Sequence, residues 1–184
     1  MRPVTVSGGM PPMPGENDSP SGPSVRELSW KSFDALSLEL ARGLASTWEP
    51  EAVVGVAKGG VFVGGAVASA LKRDFYPVRI SRRSRDQVVR TEPKAFGTMP
   101  RELRGKRVLI VDDVAASGET LQLAIKLAKR AGAAEVKTAA LAVKPKGYRP
   151  DFFAMETEDL MVFPWDYDFF AGPTVSEPPP DEEG

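Results

Sequence analysis

Apolar residues in this chain fall into short blocks whose spacing switches between a helical period and continuous runs. In "WKSFDALSLELARGLAS", Phe33, Leu36, Leu40 and Leu44 recur at three- and four-residue steps. That spacing lines one face of a helix, and Ser29 or Ser32 has the hydroxyl to cap it. "AVVGVA", Ala52 to Ala57, is wholly apolar, as expected of a strand covered on both faces. A Lys-Gly-Gly turn is expected next, then a helix of small residues over "VFVGGAVASALKR". "YPVRIS" reads as a strand, and the Arg-rich segment after it has neither period. "RVLIVD" predicts the central strand. "TLQLAIKLAKRAGA" predicts a helix with Leu121, Ala124, Ile125 and Ala128 on one face and Gly132 as its stop. "EVKTAALAV" predicts another buried strand, while "DFFAM" and "LMVF" suggest a short antiparallel pair or a small subdomain.

Strand and helix alternate, which predicts an α/β fold: a doubly wound, mostly parallel sheet with flanking helices, because parallel strands need crossover connections. Ligands of such sheets bind beyond the carboxyl ends of the strands, where the strand order reverses. Residues 1–24 are crowded with Pro, Gly and Ser and lack an apolar period, so they are expected to be a disordered arm. Residues 171–184 read as a disordered acidic tail. One folded domain is expected over 25–170, which suits a chain of 184 residues with 42% hydrophobic content.

Composition then narrows the chemistry. The chain has no Cys and no His, which excludes disulfides, zinc-thiolate sites, thiol nucleophiles, a Ser-His-Asp triad and imidazole proton shuttles. Carboxylates, Lys, Arg, hydroxyls and backbone amides remain, a set suited to phosphate and to hard cations such as Mg²⁺. Net charge is -1, so the whole chain does not read as a nucleic-acid binder. Yet Lys72 to Arg107 holds 12 Lys/Arg against 4 Asp/Glu, which points to an anionic visitor there. No apolar run of membrane-spanning length and no secretory signal pattern is present, so no membrane partner and a cytoplasmic location are expected.

The stretch "VLIVDDVAASGET" concentrates these possibilities. Asp112 and Asp113 close the central strand with carboxylates pointing to different sides, and burying both without partners would be costly. Ala115, Ala116, Ser117 and Gly118 are small enough for backbone to approach a ligand. Thr120 is expected to open the helix, whose first amides and partial positive charge suit a phosphate. Carboxylates for sugar hydroxyls beside amides for phosphate describe a ribose-phosphate cradle. Taken singly, each of these residues has an ordinary use as a cap or strand terminus. A Walker A motif and the dinucleotide fingerprint are both absent.

That stretch resembles the 5-phosphoribosyl-1-pyrophosphate (PRPP) motif of the type I phosphoribosyltransferases: apolar strand, two acids, a short turn, Ser-Gly, then Thr. The resemblance implies that Asp112 and Asp113 hold the ribose hydroxyls and a Mg²⁺ ion, and that Val114, Ala115, Ala116, Ser117, Gly118, Glu119 and Thr120 wrap the 5-phosphate. "VVGVAKGGVFVGGAVASAL" is similar to the family's pyrophosphate loop, which implies that Ala57, Lys58, Gly59 and Gly60 meet the leaving group, with a cis peptide bond at Ala57 to Lys58. "RISRRSRDQVVR" falls where the family has a flexible catalytic loop, so Arg82 and Arg83 would close over PRPP.

"LAVKPKGYRPDFFAMETEDLMVFPWD" resembles the C-terminal hood, here about 144–170, of bacterial and archaeal xanthine-guanine and hypoxanthine enzymes. By that resemblance Lys144 donates to a purine 6-oxo group, Leu160 packs on the ring, and the Met161 backbone with Trp165 and Asp166 reads the 2-position. The function implied is Mg²⁺-dependent transfer of phosphoribose from PRPP to a purine base, 6-oxopurine favoured, by a homodimer or higher homo-oligomer without nucleic acid. Two departures stand out. Ala116 occupies the position of an Asp that in many 6-oxopurine enzymes assists proton removal, and Leu160 replaces an aromatic ring. A PRPP- or nucleotide-sensing regulator with weak catalysis is the alternative that they raise.

Overall fold

A computed structural model of the chain describes residues 24–81, 83–84, 87–88 and 92–166. The strands are β1 (Val25–Glu27), β2 (Ala52–Ala57), β3 (Asp74–Ser81), β4 (Arg83–Ser84), β5 (Gln87–Val88), β6 (Lys94–Phe96), β7 (Arg107–Ala115), β8 (Glu135–Val143), β9 (Phe152–Glu156) and β10 (Leu160–Val162). The helices are α1 (Trp30–Thr47), α2 (Gly59–Leu71) and α3 (Glu119–Arg130), with a 3₁₀ turn at Arg101–Leu103. The main sheet runs β6-β3-β2-β7-β8-β9, parallel except for the antiparallel edge strand β6.

Alternation of side chains along the strands builds two cores. Val53, Leu109, Val111 and Leu141 face α1 and α2, where Phe33, Leu40, Leu44, Val63 and Val67 complete one cluster. Val54, Val56, Val108 and Ile110 face the other way, onto Leu121, Ala124 and Ala128 of α3. A sheet with apolar side chains on both faces needs helices on both, which is why its central strands read as continuous apolar runs. Ser29 caps α1, its hydroxyl accepting the Ser32 amide at 3.1 Å. Lys129 and Arg130 close α3 where the helix dipole favours cations, and Gly132 follows with φ +96°.

Several expected boundaries move. Gly59 and Gly60 are the first turn of α2 and not a free turn, and α3 opens at Glu119, one residue before Thr120, with Gly118 at its N-cap. The Arg-rich stretch contains strand after all, β4 pairing antiparallel with β5, and beyond it β6 returns to β3. "DFFAM" and "LMVF" do not pair with each other. β9 extends the main sheet parallel to β8, and β10 pairs parallel with β1, which lies at the other end of the described chain. An eight-residue return between β8 and β9, without a helix, is shorter than the crossover that parallel strands usually need. Asp151 steadies that return, one carboxylate oxygen accepting from both the amide and the hydroxyl of Thr138 at 2.8 Å.

Candidate active site

β2 and β7 lie side by side at the centre, β3 follows outside β2, and β8 outside β7. The strand order therefore reverses between Ala57 and Ala115, the place where such sheets bind ligands. The Ala57–Lys58 peptide is cis, as the resemblance implied. α2 begins at once, so close to β7 that a Cβ on Gly59 would lie 1.6 Å from Asp113 Oδ2. A Cβ on Gly60 would lie 2.5 Å from the Val111 carbonyl oxygen and 2.9 Å from Asp112 Cα. The Lys58–Gly60 turn and the acid pair are thus in direct contact.

Both carboxylates fold back along the strand. The Asp113 amide donates to Asp112 Oδ1 at 3.0 Å, and the Val114 amide donates to Asp113 Oδ1 at 2.7 Å. Partial solvent access remains, but protein atoms crowd the pair on most sides. Burial pushes Asp112 well above the usual carboxylate range, with the neighbouring Asp113 charge adding to the rise. Burial also raises Asp113; the Val114 amide holds it down in part, and Asp166 repels it. A cation or ligand hydroxyl arriving here would offset this unfavourable charge.

After β7 the chain turns through exposed Ala116 and Ser117 into Gly118 at φ +75°. Gly118 is the N-cap of α3 with no side-chain cap, and Glu119 and Thr120 open the helix, whose N-terminal end carries the partial positive charge that suits a phosphate. Lys144 follows β8 on the far side. Its amide donates to the Ala115 carbonyl at 3.3 Å, and its ammonium to the carbonyls of Glu158, at 3.0 Å, and Asp159.

The hood brings its acid to the same end. Asp166 Oδ2 accepts the Phe163 amide at 2.8 Å, and its charge is felt at Asp113. Leu160 is 57% exposed, whereas the Met161 side chain lies in the core and only its main chain remains for a ligand. Trp165 is also buried, sandwiched between Phe62, with ring centroids 4.5 Å apart, and Phe163, at 4.8 Å. That stack fixes where Asp166 stands. Arg82 lies outside the described residues, and Arg83 is placed only as backbone of β4.

Sequence reasoning missed Tyr148. Its amide donates to the Ala116 carbonyl at 2.8 Å, and its ring root fills the space where Gly118 would carry a Cβ. The only signal was its closeness in sequence to Lys144. Asp112 and Asp113 supply the hard oxygen donors that Mg²⁺ takes when it is shared with substrate oxygens. Among the described residues no cluster of three or more acidic side chains forms a metal cage by itself.

Residues 29–169 match the family model of the phosphoribosyl transferase domain. The chain belongs to the phosphoribosyltransferase family. A purine phosphoribosyltransferase structure from Pyrococcus horikoshii is 31% identical, with a TM-score of 0.69 over 77% of this chain and 94% of that one. Hypoxanthine-guanine phosphoribosyltransferase of Cricetulus griseus is 42% identical over 71 residues, 36% of this chain and 33% of that protein. Adenine phosphoribosyltransferase of Nitrobacter hamburgensis is 36% identical over 88 residues, 44% of this chain and 49% of that protein. The matches thus span a third to a half of the length of these curated phosphoribosyltransferases, whose names divide between 6-oxopurines and adenine.

Proposed function

We propose that this chain is a Mg²⁺-dependent purine phosphoribosyltransferase, 6-oxopurine favoured, which converts PRPP and a base to a nucleoside 5'-monophosphate and pyrophosphate. One observation carries this reading: the Lys58–Gly60 turn, the Asp112–Asp113 pair, the start of α3 and Asp166 of the hood converge on a single end of the sheet. Each group suits one part of the reactants. Lys58 and the adjoining amides take the pyrophosphate, the two carboxylates accept from the ribose hydroxyls, and the Val114–Thr120 turn grips the 5-phosphate. Lys144, Leu160, the Met161 main chain and the Trp165–Asp166 end address the base.

The bond from the anomeric carbon to pyrophosphate breaks as the bond to the purine nitrogen forms, so catalysis is largely alignment and stabilisation of the departing charge. Mg²⁺ held at Asp112 and Asp113 would supply positive charge for the pyrophosphate oxygens. Lys58 does the same from the protein side, and Arg82 and Arg83 belong to the closing loop of this reading. A domain over 25–170 with two disordered arms, a cytoplasmic location and self-association into a homodimer or larger oligomer belong to the same proposal. No helix among the described residues is long and apolar enough to cross a membrane.

The test is pyrophosphate release from PRPP and Mg²⁺ with hypoxanthine, guanine, xanthine and adenine in parallel, Asp113→Asn serving as control. Release with a 6-oxopurine, abolished in the control, is expected. Ala116 gives a second reading its footing: this residue brings no carboxylate, and its carbonyl is engaged by Tyr148. Silence with all four bases despite PRPP binding would favour the sensing regulator.

A further inference from the structure

The turn assigned to the 5-phosphate does not stand on its own residues. Gly118 sits at positive φ, and a Cβ there would lie 2.1 Å from Tyr148 Cγ, 2.3 Å from its Cβ and 2.5 Å from its Cδ2, so the base of the phenol ring rests on the Gly118 backbone. The same loop grips the turn at two more points. Tyr148 donates its amide to the Ala116 carbonyl at 2.8 Å, and Lys144 donates its own to Ala115. Gly147 passes close enough that a Cβ would lie 2.6 Å from the Ala116 oxygen. Tyr148 is partly buried against the α3 core, which holds the ring in place.

We propose that Tyr148 is the positioning residue of the phosphate turn: its ring backs Gly118, its amide fixes Ala116, and the loop that carries Lys144 thereby sets the shape of the 5-phosphate site. The inference rests on the phosphoribosyltransferase reading above. It makes Lys144 and the Ala115–Gly118 turn one mechanical unit, whereas the Lys58–Gly60 turn is braced by β7 and is independent of Tyr148.

Ribose 5-phosphate and pyrophosphate probe the two turns without needing the identity of the base. Their Mg²⁺-supported binding is measured calorimetrically on the full chain, on Tyr148→Phe and on Tyr148→Ala, with thermal unfolding of each. Tyr148→Ala should weaken ribose 5-phosphate on the order of 100-fold, the scale of a small misplacement of a binding group, and leave pyrophosphate near the parent value. Tyr148→Phe keeps the ring and should bind both as the parent does. Should Tyr148→Ala fail to fold, Tyr148→Leu carries the same expectation. Equal weakening of both ligands, no change in ribose 5-phosphate, or a Phe variant as impaired as Ala would each overturn the proposal. A parent chain that binds neither ligand would overturn the functional reading along with it, whereas a binding parent with an unaffected Ala variant would overturn this inference alone.

Discussion

The two turns that flank the strand-order reversal are held in different ways. At Gly60 the wall is main chain, the Val111 carbonyl and the Asp112 Cα, which cannot yield without moving the central strand, and at Gly59 it is the Asp113 carboxylate, itself tied to the Val114 amide. At Ala116–Gly118 the wall is a side chain, Tyr148, carried by a loop that also carries Lys144. The first turn is as rigid as the sheet; the second is as rigid as its packing. In the proposed reaction the leaving group is thus met by the fixed turn. In the same proposal the base is read from the loop that shapes the adjustable one.

Substitutions that break this contrast rank by what must move. Gly60→Ala should be the most damaging, at about 3 kcal/mol, because overpacking against main chain has no side-chain escape. Denaturant unfolding and pyrophosphate calorimetry should both register it. Gly118→Ala should cost about 2 kcal/mol, from the left-handed backbone and the collision with the ring. Part of that cost should vanish in a Tyr148→Ala background, and a double-mutant cycle measures how much.

A smaller effect concerns the acid pair between the turns. Folding raises the Asp112 pKa above its ordinary value of 3.8, so the folded chain retains a proton that the unfolded chain has released. Stability is therefore lost as pH rises from that ordinary value through the raised one, and is level above it. Asp112→Asn removes the loss: its melting temperature should exceed the parent's at neutral pH and match it below the ordinary value, while turnover falls. Melting curves across pH, paired with activity, check both halves. Leu160→Ala should be the mildest change, within about 0.5 kcal/mol in stability because the residue is exposed, with the effect confined to the KM for the base.

The turns also explain what the sequence could and could not reveal. Apolar runs and a helical period are local, so β2, β7, β8, α1 and α3 were legible to within a few residues, and the acid pair stood out because two carboxylates interrupt an apolar strand. The start of α2 was misread because Gly-Gly signals a turn, whereas here glycine is required by the approach of α2 to Asp112 and Asp113. The partners of β9 and β10 were misread because pairing is a long-range property: nothing in "LMVF" says that its neighbour is Val25–Glu27. Tyr148 escaped for a related reason, since its role lies in a contact with Gly118 that no spacing encodes. Met161 and Trp165 were legible as hood residues, but their burial was not: it depends on long-range packing, for Trp165 on the rings of Phe62 and Phe163.

The pairing of β1 with β10 has a bearing on how the protein is made. Ser24 and Asp159, joined hydroxyl to carboxylate at 2.6 Å, are 135 residues apart, and Leu28 and Leu160 donate their amides across the same seam. Closing so long a loop is slow, and β10 is synthesised long after β1. A nascent chain halted after β8 holds the Lys58–Gly60 and Ala115–Gly118 turns but not Tyr148, which backs the second of them, and β1 still waits for its neighbour. β1 therefore stays without its neighbour until β10 has been made.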